Sequence, residues 1–468
     1  MKLAPIARGA ITCALFTATP PALGAQTGQS DLMSEYRAVA DSLIDAALAD
    51  SAAWNRLAHM VDRFGHRLSG SESLERALDW ILEEMAGDGL ENVRAQPVVV
   101  PHWVRNAESL ALVEPRAADL PMLGLGGSVG TPAGGITAEV LVVASFDELT
   151  ERADDARGRI VLYDVPFTTY GETVQYRLNG AIEAARVGAV ASLIRSVTPY
   201  SMRTPHTGTM RYEDGVPRIP HAAITVEDAL RLRRLAERGS PPVVHLEMGA
   251  ETLPDAQSRN VMAEIVGREK PDEVVVIGGH IDSWDVGDGA MDDGGGSVVA
   301  WEAVRLMKAL GLRPRRTVRV VLWTNEENGL GGARAYALGH ADEIDRTVLA
   351  IESDAGVFRP VGFGFTGSDE AFDLVRGVGE LLEGIAAGEV TRGGGGADIG
   401  LLMRGGVPGM GLRVDRSRYF WYHHSAADTL DKLDPEEVAL CVAAMAVMAY
   451  VVADLPEALP RAEPEEAR

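Results

Sequence analysis

The sequence predicts an α/β protein whose mixed, mostly parallel sheet is covered by helices on both sides. Three observations predict it. Short apolar runs at Val274–Ile277, Thr317–Trp323 and Thr347–Ile351 have the character of strands buried in parallel sheets. Amphipathic segments separate them, with Val299, Ala303, Leu306 and Leu310 at helical spacing on one face. Strand and helix therefore alternate from about residue 258, the pattern of a sheet wrapped on both faces.

In chain order, the first segment stands apart. Lys2 and Arg8 give a basic start, Ala10 to Leu23 is apolar and small, and Ala22-Leu23-Gly24-Ala25 offers a cleavage site before Gln26. Residues 1–25 are read as a signal peptide, which implies a secreted or periplasmic protein. Its removal would take Cys13 and leave Cys441 alone in the apolar run Val438–Val451, as a core thiol without a disulfide partner. Residues 30 to 93 read as helical, with Leu57, Met60 and Val61 on one face and Leu74, Ala77, Ile81 and Met85 on another. Arg67-Leu68-Ser69-Gly70-Ser71 breaks them as a turn. From 94 to 250 short β runs such as Val140–Val143 and Ile160–Tyr163 dominate, with one helix through Ala181, Ala184, Ala185 and Val187. The Pro- and Glu-rich stretch after Leu455 reads as a frayed tail.

At 468 residues the chain suggests two domains or one with a large insertion, and 46% hydrophobic residues suffice for a sizeable core. A net charge of −24 argues against a nucleic-acid partner, since phosphates would be repelled. No internal stretch reaches the roughly 18 unbroken apolar residues of a membrane span.

The chemistry is written where the strands stop. Gly278-Gly279-His280-Ile281-Asp282, Thr324-Asn325-Glu326-Glu327 and Glu352-Ser353-Asp354 each follow an apolar run. In open α/β sheets that carboxyl edge binds ligands. Gly289-Ala290-Met291-Asp292-Asp293-Gly294 adds two acids before a helix, and Tyr422-His423-His424-Ser425 adds imidazoles before Asp428. Each piece alone has a plainer reading: a solvated turn, a helix cap, a surface histidine pair. Together, so many carboxylates on one edge would repel one another unless divalent cations sat among them. Mixed imidazole and carboxylate donors suit zinc, HExxH is absent, and a Glu-Glu pair suits a two-metal hydrolase in which one carboxylate binds metal and its neighbour stays free as a base.

In this order and spacing the motifs resemble the co-catalytic two-zinc exopeptidases, and within them a plasma glutamate carboxypeptidase-like branch. The resemblance rests on Gly279 to Gly287, Gly289 to Gly296, Glu352 to Gly356 and His423-His424-Ser425. It extends to Arg67–Ser71, Pro205-His206-Thr207-Gly208 and Asp214-Gly215-Val216-Pro217. It implies the zinc exopeptidase fold with an inserted β-rich protease-associated domain. The segments would be 26–120 and 251–455 for the peptidase, 121–250 for the insert and 456–468 for a flexible tail. Two zinc ions per chain are implied: Asp292 would bridge them, His280 and Asp354 would complete one, and Glu327 and His424 the other. Glu326 would act as general base toward a zinc-bridging hydroxide, and Asp282 would hydrogen-bond the His280 ring to fix its tautomer. The bond between Asp292 and Asp293 would be cis.

His423 competes with His424 as a ligand. Tyr419 and Tyr422 could face the oxyanion or only pack. Arg392 to Asp398 could be a lip of the substrate pocket or a flexible loop, and Asp398 could meet a substrate ammonium. His206 and Tyr212 could reach the cleft. The expected activity is hydrolysis of dipeptides or short peptides. A broader aminopeptidase and a non-catalytic receptor are the alternatives, and a homodimer is implied by resemblance alone.

Overall fold

The computed structural model describes residues 23–462, with side chains from residue 32. The predicted leader therefore falls almost wholly outside the described residues. Three helices open the fold: α1 (Leu23–Ala49), α2 (Ala52–Phe64) and α3 (Glu72–Gly87). The buried residues of α2 include Leu57, Met60 and Val61, and those of α3 include Leu74, Ala77, Ile81 and Met85, the faces that the helical spacing selects. The break between them is a helix start, because the Ser71 hydroxyl accepts the Leu74 N–H at 3.2 Å and caps α3.

Strand β1 (Glu91–Val104) follows, after which the chain leaves the first sheet for a long excursion. Between Glu108 and Met248 it builds a second eight-stranded sheet. The strands at 136–143, 160–163, 191–195 and 221–224 are parallel there. This region was expected to be β-rich with one helix from residue 121. It starts instead near Glu108, and three helices of six or more residues flank it: Phe146–Glu151, α4 (Tyr170–Arg186) and Val226–Glu237. The last escapes a reading by apolar spacing because only Asp228, Ala229 and Leu232 are buried in it.

The chain returns antiparallel to β1 as β2 (Glu251–Ile265). Strands β3 (Lys270–His280), β4 (Arg316–Trp323), β5 (Thr347–Glu352), β6 (Pro360–Thr366), β7 (Glu389–Arg392) and β8 (Gly409–Val414) complete the first sheet in the order β1-β2-β4-β3-β5-β8-β6-β7. Its centre, β4-β3-β5-β8, is parallel, while β1, β2 and β6 add antiparallel pairings. The sheet is thus mixed, as predicted. Every residue of β4 and β5 is buried, which explains why apolar residues dominate both, and the two buried arginines of β4 are paired, Arg316 with Glu273 and Arg319 with Glu264. Strands β6 and β8 carry glycines at 362, 364, 409 and 411, which dilute the apolar run.

Helices α5 (Gly295–Ala309) and α6 (Pro435–Asp454) pack against this sheet and against each other. By length and composition α6 could cross a membrane, yet the fold encloses it, from Val438 to Asp454 without an exposed residue. Cys441 is buried there, its thiol donating to the Phe358 carbonyl at 3.2 Å. The tail differs from expectation: Leu459 is buried, the Ser368 hydroxyl donates to the Pro460 carbonyl at 2.8 Å, and Arg461 donates to the Thr347 carbonyl at 2.9 Å. Leucines 455 and 459 carry the chain back onto the body, so it stays docked as far as Arg461.

Candidate active site

The sheet's carboxyl edge gathers the candidate residues. His280 ends β3, Glu326 and Glu327 follow β4, and Asp354 follows β5. Asp292 precedes α5, and His424 lies in a loop after the short helix Tyr419–Tyr422, in left-handed conformation with φ 58°. The peptide bond between Asp292 and Asp293 is cis.

Asp292 stands at the centre. Its Oδ1 lies 3.3 Å from His280 Nε2, and that nitrogen lies 3.5 Å from Asp354 Oδ1. Its Oδ2 lies 3.5 Å from His424 Nε2, which in turn lies 3.0 Å from Glu327 Oε2. The two oxygens of one carboxylate thus face two separate donor groups. Around a tetrahedral zinc with bonds of about 2.0–2.1 Å, neighbouring ligand atoms sit roughly 3.3 Å apart, and these separations cluster about that value. His280 Nε2, Asp292 Oδ2 and Glu327 Oε1 are buried without a hydrogen-bond partner, which costs free energy unless a ligand meets them. His423 Nε2 also lies 3.6 Å from Asp292 Oδ2 but has no ion-pair contact with Glu327, and its ring stacks on His424 with centroids 3.5 Å apart.

Around these residues lies a layer of groups that hold backbone. Asp282 makes the expected hydrogen bond to the His280 ring through its main-chain carbonyl, 3.0 Å from His280 Nδ1, while its carboxylate stands 3.7 Å from that nitrogen. The carboxylate turns toward the next strand, accepting the N–H of Glu326 at 3.0 Å and of Glu327 at 3.3 Å. Two amide donors outcompete a single ring nitrogen for one buried carboxylate. Asp293 accepts the N–H groups of His280 and Gly296, both at 3.0 Å. Asp428 accepts those of Met291 at 2.7 Å and Asp292 at 3.1 Å. Arg67, fully buried, donates to the carbonyls of Ile281 and Gly289 at 2.8 Å and of Asp288 at 2.9 Å, all in the loop joining His280 to Asp292.

Burial, with the other acids, pushes the carboxyl of Glu326 up to about 8, and those of Asp293 and Glu327 well above the usual range. Such a cluster needs cations to stay ionised. A cavity of about 530 Å³ opens beside it, lined by Asp292, Glu326, Glu327, Asp354 and Tyr419 from the first sheet's side and by Tyr170 and Arg177 from α4. Asp398 does not line this cavity; it is buried beside Glu352 with both oxygens unpartnered. The glycine run before it is no lip. A side chain at Gly396 would overlap the Glu352 carboxylate and one at Gly394 the Gly364 backbone, so these glycines permit close packing.

Residues 260–449 match the model of peptidase family M28. The chain is 51% identical to mouse carboxypeptidase Q over 432 residues, 92% of each chain. The chain belongs to peptidase family M28. Carboxypeptidase Q of Xenopus laevis is 52% identical, again over 92% of each chain. An M28 peptidase precursor from Shewanella amazonensis superposes with a TM-score of 0.89 at 36% identity, covering 92% of this chain and all of that one. The chain is therefore a metallopeptidase of the M28 fold, with the family match lying over the strands and loops that carry the acid and histidine cluster.

Proposed function

We propose that this M28 peptidase is an exported two-zinc exopeptidase that hydrolyses dipeptides or short peptides. The observation that carries the reading is Asp292, one carboxylate facing two donor sets at separations suited to tetrahedral zinc. His280 and Asp354 would hold one ion, Glu327 and His424 the other, and Asp292 would reach both. When bound, the ions supply Lewis acidity that polarises the scissile carbonyl and lowers the pKa of the attacking water.

The protein's own part begins with the fixed orientation of these side chains. The Asp282 carbonyl, accepting from Nδ1–H of His280, leaves Nε2 free to face Asp292 and Asp354. The Thr207 carbonyl, 3.3 Å from His424 Nδ1, holds that ring the same way. Glu326 lines the cavity, and its backbone is tied to Asp282. It takes the proton from the attacking water and hands it to the leaving amine. Export follows from the basic start and apolar middle of the leader. The region of the second sheet, which contributes Arg177 and Thr209 to the cavity lining, is read as an inserted module that completes the cleft.

The test is elemental analysis paired with hydrolysis of alanyl-leucine and its N-blocked form, for wild type and Glu326→Ala. About two zincs per chain are expected in both proteins, with turnover lost only in the variant. No bound transition metal, and no turnover after zinc is added, would overturn the proposal.

A further inference from the structure

A feature of the cavity that catalysis alone leaves unexplained is its arginines. Arg177, Arg211 and Arg416 all line it. In a chain with 68 acidic against 44 basic residues, a guanidinium is expected to find a carboxylate. Nearby arginines do so: Arg195 pairs with Asp164 at 3.3 Å and Arg203 with Asp228 at 3.2 Å. None of the three cavity arginines has an ion pair with a described carboxylate.

Arg177 is the built member. It is 4% exposed, and its guanidinium donates to the Tyr170 hydroxyl at 2.9 Å and lies 3.3 Å from His424 Nδ1, while its Nε is buried without a partner. Gly208 makes room for it: a side chain there would overlap the guanidinium. Arg416 approaches from the other body, its guanidinium stacked over Tyr419 and Phe420 at 5.1 and 5.6 Å. Arg211, exposed at the rim, follows the same loop as Gly208.

The acids in the cavity do not account for this charge. Asp292, Glu326, Glu327 and Asp354 carry four negative charges, which two divalent ions cancel. No lining carboxylate is then left over to pair with the three guanidiniums, in a protein that is otherwise strongly acidic. Resting on the two-zinc peptidase reading, we propose that Arg177, Arg211 and Arg416 form a subsite for a substrate carboxylate one residue beyond the scissile bond. One residue advances a chain by roughly 3.5 Å, and Arg177 stands one imidazole ring away from the atoms that face the ions. A guanidinium fork is suited to holding a carboxylate in one orientation. The carboxylate comes either from the free C-terminus or from an acidic side chain at that position. These are specificity-determining residues; none of them moves a proton.

The experiment uses the zinc-loaded full chain and reads binding as well as turnover. The ligands are the reduced-bond, uncleavable analogues of alanyl-leucine, alanyl-leucine amide and alanyl-glutamate α-amide, titrated by calorimetry, with the cleavable parents assayed alongside. Wild type is expected to bind a carboxylate-bearing analogue about ten- to a hundredfold more tightly than alanyl-leucine amide. Arg416→Ala and Arg211→Ala, with zinc content unchanged, are each expected to shrink that preference, and Arg416→Lys to restore part of it. Preference for alanyl-leucine alone assigns the terminal carboxylate, preference for the glutamate amide alone assigns the side chain, and equal preference for the two shows that the subsite takes a carboxylate from either source. Equal binding of all three by wild type, or a preference that survives both alanine variants, overturns the proposal. Cleavage without discrimination sinks this inference and leaves the peptidase reading standing, whereas arginine-dependent binding without any cleavage does the reverse.

Discussion

Arg67 offers the sharpest test of how the site is held together. Its side chain makes four hydrogen bonds to main-chain carbonyls, of Gly65, Ile281, Asp288 and Gly289, at 2.8 to 2.9 Å. The last three belong to the loop joining His280 to Asp292. Arg67→Met keeps the stem and removes every donor. Hydrogen bonds to a charged group contribute about 1.5–3 kcal/mol each, so four amount to roughly 6–12 kcal/mol before offsets. Against this stands the desolvation of the guanidinium, which pulls its pKa down to about 10 and is worth roughly 3 kcal/mol. Partial relaxation of the loop brings the expected loss to about 3–5 kcal/mol, the range for breaking a buried charged network. The assay is thermal and denaturant unfolding of the zinc-loaded variant, with zinc affinity measured by chelator competition. The melting temperature should fall by several degrees and zinc affinity should drop at least tenfold, because the loop carries or flanks two ligands. Arg67→Lys should recover little, since a single ammonium cannot reach four carbonyls. A variant within about 1 kcal/mol of wild type with unchanged zinc affinity would refute the reasoning.

Three further outcomes follow from the same geometry. Glu326→Gln should lower kcat by about 10²- to 10⁴-fold while elemental analysis finds zinc unchanged; loss of metal with activity would mean that Glu326 is a ligand. Zinc affinity of the stripped protein should climb steeply between about pH 6 and 8, because burial holds Glu326 up to about 8 and Asp428 up to about 7 without the ions, and binding releases those protons; a flat profile in a competition titration would contradict it. His221 is fully buried between Ser192 and the Tyr176 carbonyl, and burial pulls its pKa down to about 4. Since 4 lies below the ordinary 6.5, the unfolded chain binds the extra proton first. Stability is then full above about pH 6.5 and lost as pH falls toward 4, by up to about 3 kcal/mol; His221→Gln should flatten that slope in urea unfolding measured across this window.

The sequence carried the ligands because their residue types and strand-end positions are local facts. An apolar run that stops at His280, at Glu326-Glu327 or at Asp354 can be read without knowing the fold. The holding groups could not be read that way. Arg67 lies more than two hundred positions from the carbonyls of Ile281 and Gly289, and nothing in a turn-like Arg-Leu-Ser-Gly-Ser announces a buried guanidinium. Asp428 was visible only as an acid after the histidines, although its carboxylate seats the backbone of Asp292. Spacing along the chain places Asp282 beside His280, whose ring its carbonyl meets, but the partners of its carboxylate are not local, because the parallel pairing of β3 with β4 brings Glu326 to it. Arg177 lies in the other sheet's helix, and only tertiary packing sets it against His424.

The acids at this edge divide by what their oxygens touch, and the division explains why so many are buried. Asp292, Glu327 and Asp354 have oxygens facing imidazole nitrogens. Asp282, Asp293 and Asp428 spend theirs on backbone amides of the segments that carry those side chains. The second set costs desolvation, yet each member fixes a loop that could otherwise shift by the fraction of an ångström that spoils a ligand polyhedron. A neutral asparagine would accept from one amide and turn an N–H₂ against the other, so a carboxylate is required wherever two amides converge. Asp428→Asn is therefore expected to leave the fold intact and weaken zinc binding about ten- to a hundredfold. Its paired amides belong to Met291 and Asp292, so the loss should show in binding at the carboxylate that both ions share. If stripped and reloaded Asp428→Asn binds two zincs as tightly as wild type, Asp292 is positioned by something other than this pair of hydrogen bonds.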